Sequence, residues 1–199
     1  MKLVIGKTEY DVKPITIGDY EYFTENTEVD DLTLIDRLTT APLDELKKAK
    51  FSQIKFISKL LRSRLDEGVN KSSLDLVCEI DGVKYGLIKP SELSYEEWVN
   101  LEVFMSEKPL NIGLISTHLY KPLKNDKMGD ERELIDYDLN ECKSRIELFK
   151  EKMPMGRILA AFFFIAIFVQ KLTERFLDYT EQKQNENKNK GMKKQPQKK

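Results

Sequence analysis

Apolar residues recur along this chain with two periods, and each period marks a different kind of element. Leu3-Val4-Ile5 and Glu9–Val12, joined through Gly6-Lys7, predict a short N-terminal hairpin. Thr16, followed at the third helical position by Asp19, has the form of a capping box and opens a helix that turns Ile17, Tyr20 and Phe23 inward. Asp30 or Asp31 caps the next helix, with Leu32, Ile35 and Leu38 at three-residue spacing. Pro42 suits a first helical position, and Leu43 and Leu46 after it face one side. Phe51–Leu65 is the clearest amphipathic helix. Phe51, Ile54, Ile57, Leu61 and Leu65 make its stripe, Lys55, Lys59, Arg62 and Arg64 stay in water, and Gly68 ends it as a cap.

The alternation over 76–88, broken by Asp81-Gly82, predicts a β-hairpin, because Asp-Gly supplies the positive φ that a type I′ turn requires. Two strands alone are marginal, so this hairpin must dock on helices or join the N-terminal strands. Ser94 and Glu97 form a second capping box, opening a helix that carries Trp98, Leu101, Phe104 and Met105. Leu110–Tyr120 reads as another helix, weakened by Gly113. Lys121–Asp136 reads as a polar, mobile loop. Asp138 or Asn140 caps a helix through Ile146, Leu148 and Phe149. Pro154 and Gly156 then break the chain before a long last helix that continues through Leu172 and Phe176. The fold class is mainly α: one helical domain over 1–180 with a small hairpin near 76–88, and a disordered Lys-rich tail over 181–199.

Within the last helix, Ile158–Val169 is an uninterrupted apolar run of 12 residues that includes Phe162, Phe163, Phe164 and Phe168. At about 1.5 Å per residue it spans about 18 Å, whereas a bilayer core is about 30 Å thick. A core or interface helix is therefore the favoured reading, and a membrane anchor over 158–169 with basic flanks is the alternative.

Charge changes the picture at one end only. The chain carries a net −1, but seven Lys and two Glu give Glu181–Lys199 +5, which leaves −6 on Met1–Thr180. The tail has one hydrophobic residue, Met192, and neither Arg nor an aromatic, so the stacking part of single-strand binding is missing and nucleic acid is not an expected partner. Cys78 and Cys142 stand far apart without a partner motif and read as reduced residues. The short Leu3-Val4-Ile5 run is no signal core.

Reactive groups are sparse. The one histidine, His118, sits in an apolar helix and reads as a hydrogen-bonded packing residue rather than a base. One His and two scattered Cys offer no zinc set of ordinary spacing, and the glycines form no phosphate loop. Asp30-Asp31 and Glu96-Glu97 fall at helix starts, where carboxylates are stabilising without any chemistry. No catalytic, cofactor or metal residue is assigned. The aromatic residues Trp98, Tyr120, Phe162, Phe163, Phe164 and Phe168 are the candidates for contact with a partner.

Taken in order, several segments resemble a known group. They are Ile15–Tyr20, Leu34–Leu38, Leu43–Leu46, Cys78–Tyr85, Glu92–Trp98, Leu119–Pro122, and Pro154-Met155 with the Phe-rich helix. This order and spacing resembles the small helical morphogenesis proteins of tailed bacteriophages, in particular tail assembly chaperones and baseplate-hub assembly chaperones, over about residues 10–176. The resemblance implies a non-enzymatic protein of the host cytoplasm during infection. Its partners would be the tape-measure protein or other tail subunits, and a homo-oligomer is compatible with it. The Phe-rich helix before a basic tail departs from the simplest members. It leaves open a structural virion protein docked at the portal, neck or capsid interior.

Overall fold

The computed structural model describes residues 1–68, 74–125, 131–169 and 171. It is mainly α-helical with two small antiparallel sheets, as the patterning predicts. The chain divides into two compact units, Met1–Ala161 and Phe162–Lys199. The Lys-rich tail lies outside the described residues.

The N-terminal hairpin forms as predicted. Strands β1 (Lys2–Ile5) and β2 (Thr8–Asp11) pair antiparallel, Lys2 opposite Asp11 and Ile5 opposite Thr8, and Gly6 takes φ +63° in the turn. Alternation in β1 sends Leu3 and Ile5 inward. They meet α2 (Asp31–Leu38), α3 (Leu43–Lys48) and α4 (Phe51–Gly68) in a core built on Leu34, Ile35, Leu38, Leu46, Ile54, Ile57 and Leu61. Asp30 caps α2 through both Leu32 N and Thr33 N at 3.0 Å. Asp31, next in line, accepts from Lys55 at 2.8 Å and Ser58 at 2.5 Å and so ties α2 to α4. Two stripe assignments differ from the pattern. Phe51 is 75 % exposed because it lies at the edge of the α4 stripe, and Leu43 is exposed on α3 while Leu46 is buried.

Helix α1 (Ile17–Glu25) begins with the Thr16–Asp19 capping box, complete in both directions. It joins the two halves of the first unit: Ile17 N donates to Met153 O at 3.1 Å, Met155 N donates to Ile15 O at 2.8 Å, and Phe23 packs on the N-terminal core.

The second sheet has three strands where the sequence predicts two. β3 (Val77–Ile80) and β4 (Val83–Leu87) form the hairpin, with Asp81 and Gly82 at φ +48° and +79° in its turn. β5 (Tyr120–Pro122) pairs with β4, Leu87 opposite Tyr120. The predicted polar loop 121–136 is therefore corrected at its described ends. Lys121 and Pro122 belong to the sheet, Leu123 bridges Leu134, and Lys124 N donates to Glu133 O at 2.8 Å. This added layer crosses β4 at Gly86, where a Cβ would lie 2.7 Å from Leu134 Cδ2 and 2.9 Å from Leu123 Cδ2.

Helices α5 (Tyr95–Ser106), α6 (Ile112–Leu119), α7 (Leu139–Ser144) and α8 (Ile146–Lys152) complete this half. The helix predicted after Asp138 is two, with Arg145 between them. Gly113, the weak point in the sequence of α6, has a packing reason: a Cβ there would lie 3.0 Å from Ile146 Cγ2 of α8. The last helix, α9 (155–169), starts at Met155 after the break at Pro154.

Candidate functional site

The aromatic candidates do not share one environment. Tyr120, at 0 % exposure, is inside the fold, where its hydroxyl donates to Asp75 O at 2.8 Å; as a partner contact it is corrected to a core residue. Burial raises its pKa, so the hydroxyl stays protonated as that bond requires. Trp98 is half-buried on α5.

Along α9 the side chains separate by helical angle. Ile158, Ala161 and Ile165 are buried and Phe162 and Phe168 half-buried, while Phe163, Phe164 and Ile167 are 64 %, 38 % and 53 % exposed. The sequence predicts a helix covered by the rest of the chain or by a partner; among the described residues the side bearing Phe163, Phe164 and Ile167 is exposed. The bare side bears no charge, and single exposed hydrophobics are ordinary whereas a contiguous group of large ones marks an interaction surface. Among the described residues no helix is long and apolar enough to cross a membrane.

The start of α9 is held within the first unit by a fork. Arg157 presents Nη2 at 2.7 Å and Nε at 2.9 Å to Asp75 Oδ2, just ahead of β3. The nearby Cys78 thiol is pushed up by burial to about 11, and burial raises Cys142 as well, so both stay un-ionised and weakly nucleophilic at neutral pH.

The titratable groups of the second half converge where α5, α6 and β5 meet. Glu97 is 5 % exposed and uses its two carboxylate oxygens differently. Oε2 accepts from Ser94 N at 2.8 Å, closing the capping box, and Oε1 accepts from Lys121 Nζ of β5. Burial alone would raise its pKa, but the bonds from Lys121 and Ser94 outweigh that and hold it below the ordinary carboxylate value. The sequence shows the capping half of this arrangement. The other half is not visible there, because the pattern predicts a polar loop at Lys121. Its one signal was the Tyr-Lys-Pro alternation after an apolar helix.

His118 is buried beside this pair. Its Nδ1 lies 2.9 Å from Leu114 O, and a carbonyl only accepts, so Nδ1 carries the proton. Its Nε2 lies 2.8 Å from the Tyr137 hydroxyl, which accepts from Asn100 Nδ2 at 2.8 Å and donates its own proton to the ring. Burial lowers the His118 pKa, so the neutral ring this pattern requires is the favoured one. Both ring nitrogens are thus committed to packing bonds.

A cleft of about 820 Å³ opens onto this buried group: Glu97, Lys121 and Tyr137 line it together with Lys89, Lys124, Arg132, Glu92, Glu96 and Asp136. Lys89–Glu92 and Lys124–Asp136 pair at 3.1 Å each, so the lining mixes charges of both signs. Among the described residues no group of three or more His, Cys, Asp or Glu is placed to hold a metal ion. Compared with known protein families, with curated proteins and with solved structures, the chain finds no match in any of the three.

Proposed function

We propose that this chain is a non-enzymatic assembly factor whose bare α9 side takes up an apolar helical segment of a partner. The observation that carries the reading is the exposure of Phe163, Phe164 and Ile167 within five residues of one helix. Apolar area of that kind gains about 25 cal/mol for each Å² covered, and an amphipathic helix is the form of partner that covers a helix face with i, i+3 and i+4 anchors. The engagement of both His118 nitrogens in packing bonds supports a role without acid–base chemistry.

The resemblance to phage morphogenesis proteins names the partner. In this proposal the chain is a tail assembly chaperone of the host cytoplasm, keeping tape-measure helices or other tail subunits soluble until the tube assembles. Co-expression with a phage tape-measure protein tests this. The chain is expected to keep that protein in the soluble fraction, and the Phe163→Ser, Phe164→Ser double variant to lose this at unchanged far-UV helicity. Peptide mass spectrometry then separates the alternatives. Abundance in infected lysate with absence from purified particles fits a chaperone, whereas stoichiometric presence in particles makes the chain a structural virion protein.

A further inference from the structure

The cleft beside the Glu97–Lys121 pair differs in character between its floor and its rim. Lys121 is 6 % exposed, yet it lines the cleft. An ammonium carries three N–H donors, and among the described residues the one acceptor that meets Lys121 Nζ is Glu97 Oε1. The Tyr137 ring, 5.5 Å away, attracts the charge without taking a hydrogen bond. The floor therefore holds N–H donors in excess of acceptors, and a buried donor left unmet is costly. At the rim the excess is acidic. Lys89 pairs with Glu92 and Lys124 with Asp136, whereas the exposed carboxylates of Glu96 and Glu133 line the same cleft and meet no cation among the described residues. Backbone adds a third resource. Lys124 N donates to Glu133 O at 2.8 Å and Ile135 N to Pro122 O at 3.0 Å, on either side of the Leu123–Leu134 bridge. That pattern turns the Leu134 N–H and C=O away from 122–124. Leu134 lines the cleft, and neither group has a partner among the described residues.

Together these features select a ligand. A free anion would reach the Lys121 donors only by bringing its charge beside the Glu97 carboxylate. A simple amine would satisfy Glu96 and Glu133 and leave the floor donors unmet. An extended peptide with a lysine or arginine carries both a cation and uncharged acceptors, and its main chain suits an unpaired strand edge. We propose that the cleft binds such a basic segment of a partner protein. The cationic side chain meets Glu96 and Glu133, a main-chain carbonyl accepts from Lys121 Nζ, and the flanking main chain pairs with Leu134. The volume of about 820 Å³ lies within the range of about 300–1,000 Å³ usual for ligand sites. None of these residues belongs to α9, so the site stands or falls apart from the chaperone reading.

Amide-resolved NMR titration of the full chain tests it with defined probes: acetyl-Ala-Lys-Ala-methylamide, its norleucine and glutamate analogues, and n-pentylamine. The lysine peptide is expected to shift the amides of Leu134 and Tyr137. It should bind at least about tenfold tighter than either analogue and at least about fivefold tighter than n-pentylamine, which lacks the carbonyls. Glu96→Gln combined with Glu133→Gln, both at exposed positions, should weaken it at least about fivefold at unchanged melting temperature. The Lys121→Met, Glu97→Leu double variant should erase the advantage over n-pentylamine. Should that variant not fold, the wild-type comparison of peptide with amine carries the same test. Equal binding of the lysine and norleucine peptides overturns the proposal, as does a lysine peptide that shifts no cleft amide. Tighter binding of the glutamate peptide or of inorganic phosphate overturns it and assigns the cleft to anions. Equal binding of the lysine peptide and n-pentylamine overturns it too, and assigns the cleft to simple amines.

Discussion

The two halves of the first unit are stabilised in different ways. Around Leu34, Leu38 and Ile57 the core is apolar, and the buried polar residues there are Thr39 and Ser58. Thr39 bonds to Ile35 O and Ser58 to Asp31, so each is satisfied by a neighbouring helix turn or helix. The half built on β3–β5 and α5–α8 buries Glu97, Ser116, Thr117, His118, Lys121 and Arg132 as well. The first kind of core loses stability in proportion to the volume removed. The second is sensitive to any change that leaves one member without its partner, because a buried charge or donor then faces a low dielectric alone.

That contrast can be broken most sharply at Lys121. Lys121→Met strands the Glu97 carboxylate inside and should cost about 3–5 kcal/mol in urea unfolding. The double variant Lys121→Met, Glu97→Leu should recover most of it, and failure to recover would mean that the pair stabilises rather than merely coexists. In the other half, Leu34→Ala should cost about 2–4 kcal/mol by opening a cavity, with no second substitution needed to interpret it. Gly86→Val tests the layer added over β4 and should cost about 1–3 kcal/mol, since the Leu123 and Leu134 side chains must give way. Ser94→Ala removes a cap from a helix whose Glu97 is also a buried partner, and about 1 kcal/mol is expected.

The halves should also separate by pH. His118 has an ordinary value of 6.5 and is lowered in the folded chain. The unfolded chain therefore binds more protons as pH falls through 6.5, and stability drops from there downwards. Glu97 and Asp31, lowered from 4.5 and 3.8, add a second loss in the carboxylate range. Denaturation followed from pH 8 to pH 3 should show both windows, and His118→Gln should flatten the upper one while leaving the lower. A wild-type curve level between pH 7 and pH 5 would place the His118 proton elsewhere.

How much was legible follows from range along the chain. The Thr16–Asp19 and Ser94–Glu97 boxes, the Asp30 cap and the Asp81-Gly82 turn are closed by residues within a few positions of each other, so sequence spacing is enough to find them. The stripe of α4 was readable at its centre, where Ile54, Ile57 and Leu61 point one way, and misread at Phe51. A stripe has an edge, and whether the edge is covered depends on what packs there. Among the partner candidates, Phe163 and Phe164 stand on a surface while Tyr120 does not. An aromatic residue looks the same in sequence whether it fills a core or waits for a partner.

The sequence by itself determined most of the helices, the caps at Thr16, Asp30 and Ser94, the two hairpins and the apolar character of α9. Each depends on local backbone preference or on periodicity within one element. Only the tertiary structure decided that β5 joins the sheet, that Lys121 meets Glu97, and that the Tyr137 hydroxyl meets His118 Nε2. Each of those depends on pairing or covering between segments distant in the chain. Local propensity carries no record of such contacts; they are settled by which buried groups find partners when the elements pack.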